Sequence, residues 1–153
     1  MNEGKVQVDL MKEAFSYAKK SMQLGEVPVG AILVDSDKKI IAGSGNSMIS
    51  SSDPTAHAEI NVLRLAGKIL KNYRLLDTTL YVTLEPCSMC ASALVHARVS
   101  KIIYGTSDKI AGACGSVFNL VNNKNLNHSI EVHSGVLEDE CRKILKTFFS
   151  ARR

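Results

Sequence analysis

The chain has 153 residues, of which 45% are hydrophobic and 22% charged, as in an ordinary globular protein. We expect one domain over residues 1–153, large enough to stay folded without disulfides or a metal. The longest apolar run, residues 29–34, is far shorter than the roughly 20 residues of a membrane-spanning helix. With no apolar signal core at the start, these features predict a cytoplasmic protein without a membrane partner. The net charge of +4 suits an anionic partner and is equally typical of an ordinary surface.

The periodicity of the apolar residues predicts helices and strands that alternate along the chain. The expected elements in chain order are a helix over about 7–24, strands over 29–35 and 40–44, a helix over about 57–70, a strand over 80–84, a helix over 87–97, a strand over 100–105, mixed loop and short helix over 107–127, a strand over 130–134 and a helix from about 138.

The lengths of the connections predict how these strands pair. The first two strands are joined by a short polar turn, so they pair antiparallel. The later strands are separated by helices, which favours parallel pairing. We therefore predict an α/β fold, specifically a three-layer α/β/α sandwich with a mixed five-stranded sheet.

Two of the four cysteines lie three residues apart at the start of a predicted helix. Cys87 and Cys90 would therefore place both sulfurs on one side of its first turn. A helix N-terminus favours the thiolate, which is the form that binds metals. His57 lies at the start of another predicted helix and would supply a third ligand. Zinc prefers four ligands, so a water in the open position would make the site catalytic, whereas a fourth protein ligand would make it structural.

Glu59 would allow this arrangement of ligands to catalyse a reaction. It lies two residues beyond His57, near enough to take a proton from a metal-bound water and deliver it to a substrate. Taken alone, Cys-x-x-Cys also fits a redox pair or half of a structural zinc site, and His-x-Glu alone indicates little. The combination H-x-E…P-C-x-x-C is the published signature of zinc deaminases of nucleobases.

Five segments extend the similarity to nearly the whole chain: EVPVGA at 26–31, DPTAHAEI at 53–60, YVTLEPC at 81–87, CASALVHAR at 90–98 and the tail over 135–153. Through them the chain closely resembles the bacterial tRNA-specific adenosine deaminases, a branch of the cytidine deaminase superfamily. The zinc motif belongs to the whole superfamily, whereas HAR at 96–98 and the Phe-Phe…Arg-Arg tail are more particular to the tRNA branch.

The resemblance implies a cytidine deaminase-like fold and a homodimer with one zinc per subunit. It implies that His57, Cys87 and Cys90 bind the zinc and that Glu59 is the proton shuttle. The implied reaction converts adenosine to inosine at the wobble position of a tRNA anticodon loop, in most members an arginine tRNA. Zinc-bound hydroxide would attack C6 of adenine, and ammonia would leave.

The resemblance also implies which residues contact the RNA. Asn46 resembles the asparagine that hydrogen-bonds the flipped base, and the backbone N–H groups near Ala58 and Cys87 would donate to the developing negative oxygen. The remaining expected contacts are Asp108, Lys109, Asn127 and His128 in two loops, and Phe149, Arg152 and Arg153 in the tail. For the two arginines, the helix dipole offers an alternative explanation. Phe148 and Phe149 continue an apolar stripe, so at least one belongs to the core.

Two departures from the family pattern affect RNA contact. Ile110 stands where relatives often have a lysine, and Ser150 stands where relatives can have a basic residue. Cys141 is expected in the core, and Cys114 has no expected role. Two rival functions remain open at this point: a deaminase of a free base or nucleoside such as guanine or cytosine, and a non-catalytic RNA-binding protein with a structural zinc.

Overall fold

A computed structural model describes residues 2–152, and its helices and strands follow the predicted order closely. The elements are α1 (Glu3–Gln23), β1 (Gly30–Val34), β2 (Ile40–Gly45), α2 (Ala58–Leu70), β3 (Thr79–Leu84), α3 (Ser88–His96), β4 (Lys101–Thr106), β5 (Glu131–His133) and α4 (Glu138–Ser150).

The five strands form one sheet in the order β2-β1-β3-β4-β5. β1 pairs antiparallel with β2 and with β3, whereas β3, β4 and β5 run parallel. Helices α1 and α4 cover one face of the sheet, and α2 packs with α3 on the other. The predicted three-layer sandwich with a mixed sheet is confirmed.

Alternating side chains on the strands divide the core into two layers. Ile32 and Val34 of β1 pack with Met11 and Ala14 of α1. The alternate β1 residues, Ala31 and Leu33, belong to the cluster that includes buried residues of α2 and α3. This period of two follows from the pleat of a strand, and both faces of β1 are apolar because α1 covers one and α2 the other.

Two elements differ from the prediction. α1 begins about four residues early because the Asn2 side chain accepts a hydrogen bond from the N–H of Gly4 at 2.8 Å and caps the helix. The short helix expected within 107–127 is wrong, since that segment consists of turns and two isolated β-bridges. Several of its N–H groups donate to a side chain of another segment rather than to a preceding carbonyl.

Across residues 2–152, no helix is both long and apolar enough to cross a membrane.

Candidate active site

The starts of α2 and α3 bring three metal-binding side chains together. His57 is the N-cap of α2, Cys87 is the N-cap of α3, and Cys90 lies in the first turn of α3. His57 Nδ1 lies 3.6 Å from the Cys87 sulfur and 3.4 Å from the Cys90 sulfur. The three donor atoms all lie within 4.8 Å of one another.

The donor geometry fits zinc. A tetrahedral ion with Zn–S of about 2.3 Å and Zn–N of about 2.0 Å separates sulfur from nitrogen by roughly 3.5 Å. Both cysteines are free thiols rather than a disulfide. Within residues 2–152, no fourth His, Cys, Asp or Glu donor joins the group. The site therefore offers three protein ligands and leaves one coordination position for water or substrate, as in catalytic zinc sites.

The electrostatics of the cluster favour a metal-binding thiolate. A hydrogen bond from the Cys90 thiol, followed by one from His57, lowers the pKa of Cys87 to about 4. The same contact with Cys87 raises the pKa of Cys90, and hydrogen bonding to Cys87 raises the pKa of His57. The cluster therefore favours the thiolate form of Cys87, which is the form that binds metals.

Glu59 lies beside the cluster on the first turn of α2 and is almost fully buried. Burial is the main cause that raises its pKa, which reaches about 7. A carboxyl group with a pKa in this range can both accept and return a proton near neutral pH.

Asn46 follows β2 and is held on three sides. Its Oδ1 accepts the N–H of Ala58 at 2.8 Å, its carbonyl accepts the Ser21 hydroxyl at 2.9 Å, and its N–H donates to Val29 at 3.1 Å. Because a backbone N–H can only donate, the amide oxygen must face Ala58, which leaves Nδ2 as the group free to donate. The expectation of a free donor at Ala58 is corrected, since that N–H is already bonded.

A cavity of about 910 Å³ opens above the cluster. Seven predicted site residues line it: Asn46, His57, Glu59, Cys87, Asp108, Lys109 and Phe149. Cys90 and Ala58 lie buried beneath it.

Other expected contacts lie elsewhere. Asn127 and His128 line a separate cavity of about 380 Å³, and His128 Nε2 lies 2.7 Å from the carbonyl of Val99. The guanidinium of Arg152 packs 3.7 Å from the Phe148 ring centre and contacts the Gly25 carbonyl at 3.5 Å. Both interactions anchor Arg152 to neighbouring chain segments, and it does not line the large cavity. Arg153 lies outside the described residues.

Two basic residues of α4 that were not among the predicted site residues also line the cavity. Arg142 and Lys146 are exposed, and with Phe149 they follow one another at spacings of four and three residues. This spacing places all three on one face of the helix, so the pattern was visible in the sequence. Phe148, in contrast, is buried, which settles which of the two phenylalanines belongs to the core. Cys141 is also buried, as expected.

Buried Glu26 holds the loop that carries Asn46 and His57. Its two carboxylate oxygens accept the N–H groups of Ile49 at 3.1 Å and Ser50 at 2.8 Å. Burial raises the pKa of Glu26, but these hydrogen bonds outweigh it and the net pKa is lowered. A charged carboxylate therefore fixes this wall of the cavity.

Residues 5–106 match the family described as the cytidine and deoxycytidylate deaminase zinc-binding region. This match covers two thirds of the chain and includes all three members of the cluster and Glu59. The fold and the site together define a zinc-dependent deaminase.

Similar proteins of known name show which kind of zinc-dependent deaminase the chain resembles. The chain is 51% identical over 144 residues to the tRNA-specific adenosine deaminase of Haemophilus influenzae, which covers 94% of this chain and 83% of the relative. The Bacillus subtilis enzyme of the same name is 47% identical over 143 residues, covering 94% and 88%. A solved structure from studies of A-to-I editing by tRNA:A34 deaminases superposes with a TM-score of 0.86 at 42% identity, covering 90% and 99%. The chain belongs to the family of tRNA-specific adenosine deaminases.

Removing any one ligand should empty the metal site. We expect His57→Ala, Cys87→Ala and Cys90→Ala to fall from about one zinc per chain to near zero, because two ligands hold zinc poorly. Metal analysis of the purified proteins by mass spectrometry measures this content. Cys141→Ala is the matched control and should keep its zinc, since Cys141 is buried on α4. Full zinc in Cys90→Ala would contradict the ligand assignment.

Proposed function

We propose that residues 1–153 form one deaminase domain that hydrolyses adenosine to inosine at the wobble position of a tRNA anticodon loop in the cytoplasm. The observation that carries this proposal is the three-ligand cluster with buried Glu59 beside it. The names of the two relatives support the substrate class, and we propose an arginine tRNA as the particular substrate.

In this proposal His57, Cys87 and Cys90 bind the zinc. Zinc, when bound, is a Lewis acid that lowers the pKa of a coordinated water to about 7. Glu59 would take one proton from the attacking water and deliver it to N1 of adenine while the water oxygen bonds to C6. Glu59 would then pass the second proton of that oxygen to the amine, so that the C6–N bond breaks, ammonia leaves and the C6 oxygen becomes the carbonyl of inosine. The burial that raises the pKa of Glu59 suits it to carry the proton in both directions.

Asn46 binds the flipped base through Nδ2, because its oxygen is committed to Ala58. Ala58 thereby contributes to substrate binding indirectly, by fixing the orientation of the amide. The N-terminus of α3, whose N-cap is Cys87, directs its backbone dipoles toward the reacting centre and stabilises developing negative charge.

The rim of the cavity is suited to single-stranded RNA. Lys109, Arg142 and Lys146 offer positive charge to phosphates, and the half-exposed ring of Phe149 offers a surface on which a base can stack. Ile110, which replaces the common family lysine, is exposed at the same rim. We propose that the α4 cations supply the charge that this position lacks.

We further propose a homodimer. Leu65 and Ile69 are exposed one turn apart on α2, and Tyr73 and Leu76 are exposed just beyond its end. Exposed apolar side chains grouped in this way are typical of a protein interface. The patch lies on α2 and just beyond its end. A partner subunit would therefore contact the helix whose N-cap is His57.

The wild-type protein should produce inosine in an anticodon stem-loop with adenosine at the wobble position. Glu59→Ala should keep its zinc yet lose about 10²- to 10⁴-fold in kcat, because the proton carrier is absent. Sequencing or nucleoside analysis of the RNA detects the inosine. Free guanine, cytosine and adenosine serve as competing substrates. Turnover of a free base with none on the RNA would contradict the substrate, and retained turnover in Glu59→Ala would contradict the mechanism.

The two α4 cations should account for part of the salt dependence of RNA binding. If Arg142 and Lys146 each neutralise one phosphate, the double alanine variant should reduce the slope of log K against log salt by about 1.4, since each single-strand contact contributes about 0.7. Binding titrations at several salt concentrations measure the slope.

Lys143→Ala is the matched control for this measurement, because Lys143 is exposed on α4 and does not line the cavity. We expect Arg152→Ala to leave the slope unchanged as well, because its guanidinium packs on Phe148. A reduced slope in Lys143→Ala equal to that of the double variant would show a general charge effect rather than contacts at the rim.

A charge placed in the apolar patch should separate the dimer. Ile69→Lys should reduce the solution mass from twice 16.6 kDa to 16.6 kDa, because a lysine cannot be buried there without a partner. Light scattering after gel filtration measures the mass. Ile110→Lys is the control, since Ile110 is more exposed and lies at the cavity. A monomeric wild type would reject the dimer, and a dimeric Ile69→Lys would reject this interface.

A further inference from the structure

Buried Glu85 connects the metal-binding segment to a second wall of the cavity, the 107–116 loop. Its side chain is 1% exposed and lies between the end of β3 and Cys87. Oε1 accepts the N–H of Asp108 at 3.0 Å and the hydroxyl of Ser116. Oε2 accepts the N–H groups of Cys114 at 3.0 Å and Ser116 at 3.1 Å.

All four hydrogen bonds of this carboxylate go to the 107–116 loop. None of the ion pairs found among residues 2–152 involves Glu85, so neutral donors satisfy its charge. Hydrogen bonds to a charged acceptor are stronger than those between neutral groups, and three of these four fix backbone atoms. One side chain outside the loop therefore holds three of its backbone N–H groups.

The loop backbone also packs directly on the carboxylate. A Cβ at Gly112 would lie 2.5 Å from Glu85 Cδ, so only glycine permits this approach. Gly112 forms a β-bridge with Cys87, and the N–H of Ala113 donates to the carbonyl of Pro86 at 2.9 Å. The same short segment, 85–87, thus supplies a metal ligand and the attachment points of the loop.

The loop contributes two charged residues to the mouth of the cavity. Asp108 and Lys109 line it, and Asp108 Oδ1 in turn accepts the N–H groups of Ile110 and Ala111 at 3.0 and 3.1 Å. The conformation at 108–111 therefore depends on Asp108, whose own N–H is held by Glu85.

We infer that Glu85 is a positioning residue for RNA binding, which holds the 107–116 loop in the conformation that the substrate meets. This inference rests on the proposed function. Without these hydrogen bonds the loop would sample other conformations, and binding would have to order it again at a cost in affinity. Because Glu85 acts on the wall of the cavity, its loss should weaken RNA binding more than it slows the chemical step.

Glu85→Gln tests this inference with a near-isosteric side chain. The amide keeps one acceptor oxygen, which is best placed at Oε2 to receive the N–H groups of Cys114 and Ser116. The NH₂ group then occupies the Oε1 position, where the Ser116 hydroxyl can turn to accept it. The N–H of Asp108 cannot accept and loses its partner. Amide hydrogen exchange should therefore accelerate at Asp108 more than at Cys114.

The functional readouts separate binding from chemistry. In the Glu59→Ala background, which prevents turnover, Glu85→Gln should weaken binding of the anticodon stem-loop by about tenfold. In the otherwise wild-type enzyme it should keep one zinc per chain, and kcat at saturating RNA should stay within about twofold while KM rises.

Ser116→Ala provides a milder variant that leaves the carboxylate in place. Ser116 is exposed, so the substitution removes one hydrogen bond without disturbing the core, and binding should weaken by about threefold. Ser134→Ala, at an exposed serine beyond β5, is the matched control and should bind like the wild type. If Glu85→Gln fails to fold, Ser116→Ala decides the question.

Three results would overturn the inference. Unchanged RNA binding despite faster exchange at Asp108 would show that loop order does not govern affinity. Loss of zinc or of kcat with unchanged binding would show that Glu85 acts on the metal site. Unchanged exchange at Asp108 would show that Glu85 does not order the loop. Absence of inosine from the wild-type reaction would instead contradict the proposed function, and the exchange result would remain independent of it.

Discussion

The metal cluster of this chain depends on two helices, α2 and α3, whose N-terminal ends lie next to each other. His57 is the N-cap of α2 and Cys87 is the N-cap of α3, and neither residue caps its helix with a side-chain hydrogen bond. Residues such as Ser, Asp or Asn usually occupy this position because they satisfy the first free N–H groups. Here the imidazole and the thiol remain available for the metal, and Asn46 supplies the missing acceptor to Ala58 from a distant segment. Asn46, which we propose binds the substrate base, thus also caps α2.

Local patterns in the sequence predicted the helices, the strands and the fold class, and the combined H-x-E…P-C-x-x-C motif predicted the metal cluster. Apolar periodicity located the helices and strands, and the spacing of Cys87 and Cys90 at a helix start required both sulfurs to face one side. The position of β3 beside β1 was not predictable in this way, because no local signal indicates which strands become neighbours. The short helix expected within 107–127 does not form, and three N–H groups of this segment donate to Glu85 instead of to preceding carbonyls, a long-range contact that no local pattern indicates.

The rim of the cavity was the least predictable part. Asn127 and His128 follow the same loop-rich region as Asp108, yet they line a different cavity. Whether an exposed residue lines a cavity depends on the path of the chain rather than on its type. Arg142 and Lys146 were recognisable only as surface charges until the placement of α4 directed them to the rim. The basic C-terminal tail, in contrast, takes part in packing, because the Arg152 guanidinium lies on the Phe148 ring.

The two walls of the cavity are held in place in the same way. Each is a loop whose backbone N–H groups donate to a buried carboxylate, Glu26 on one side and Glu85 on the other. Carboxylates that accept backbone donors order a loop without requiring particular side chains on its outer surface. A residue at the rim, such as Ile110, can therefore change while the loop and the metal cluster keep their positions. This separation allows residues at the rim to differ from those of the family while the metal cluster and the loops that flank it keep their positions.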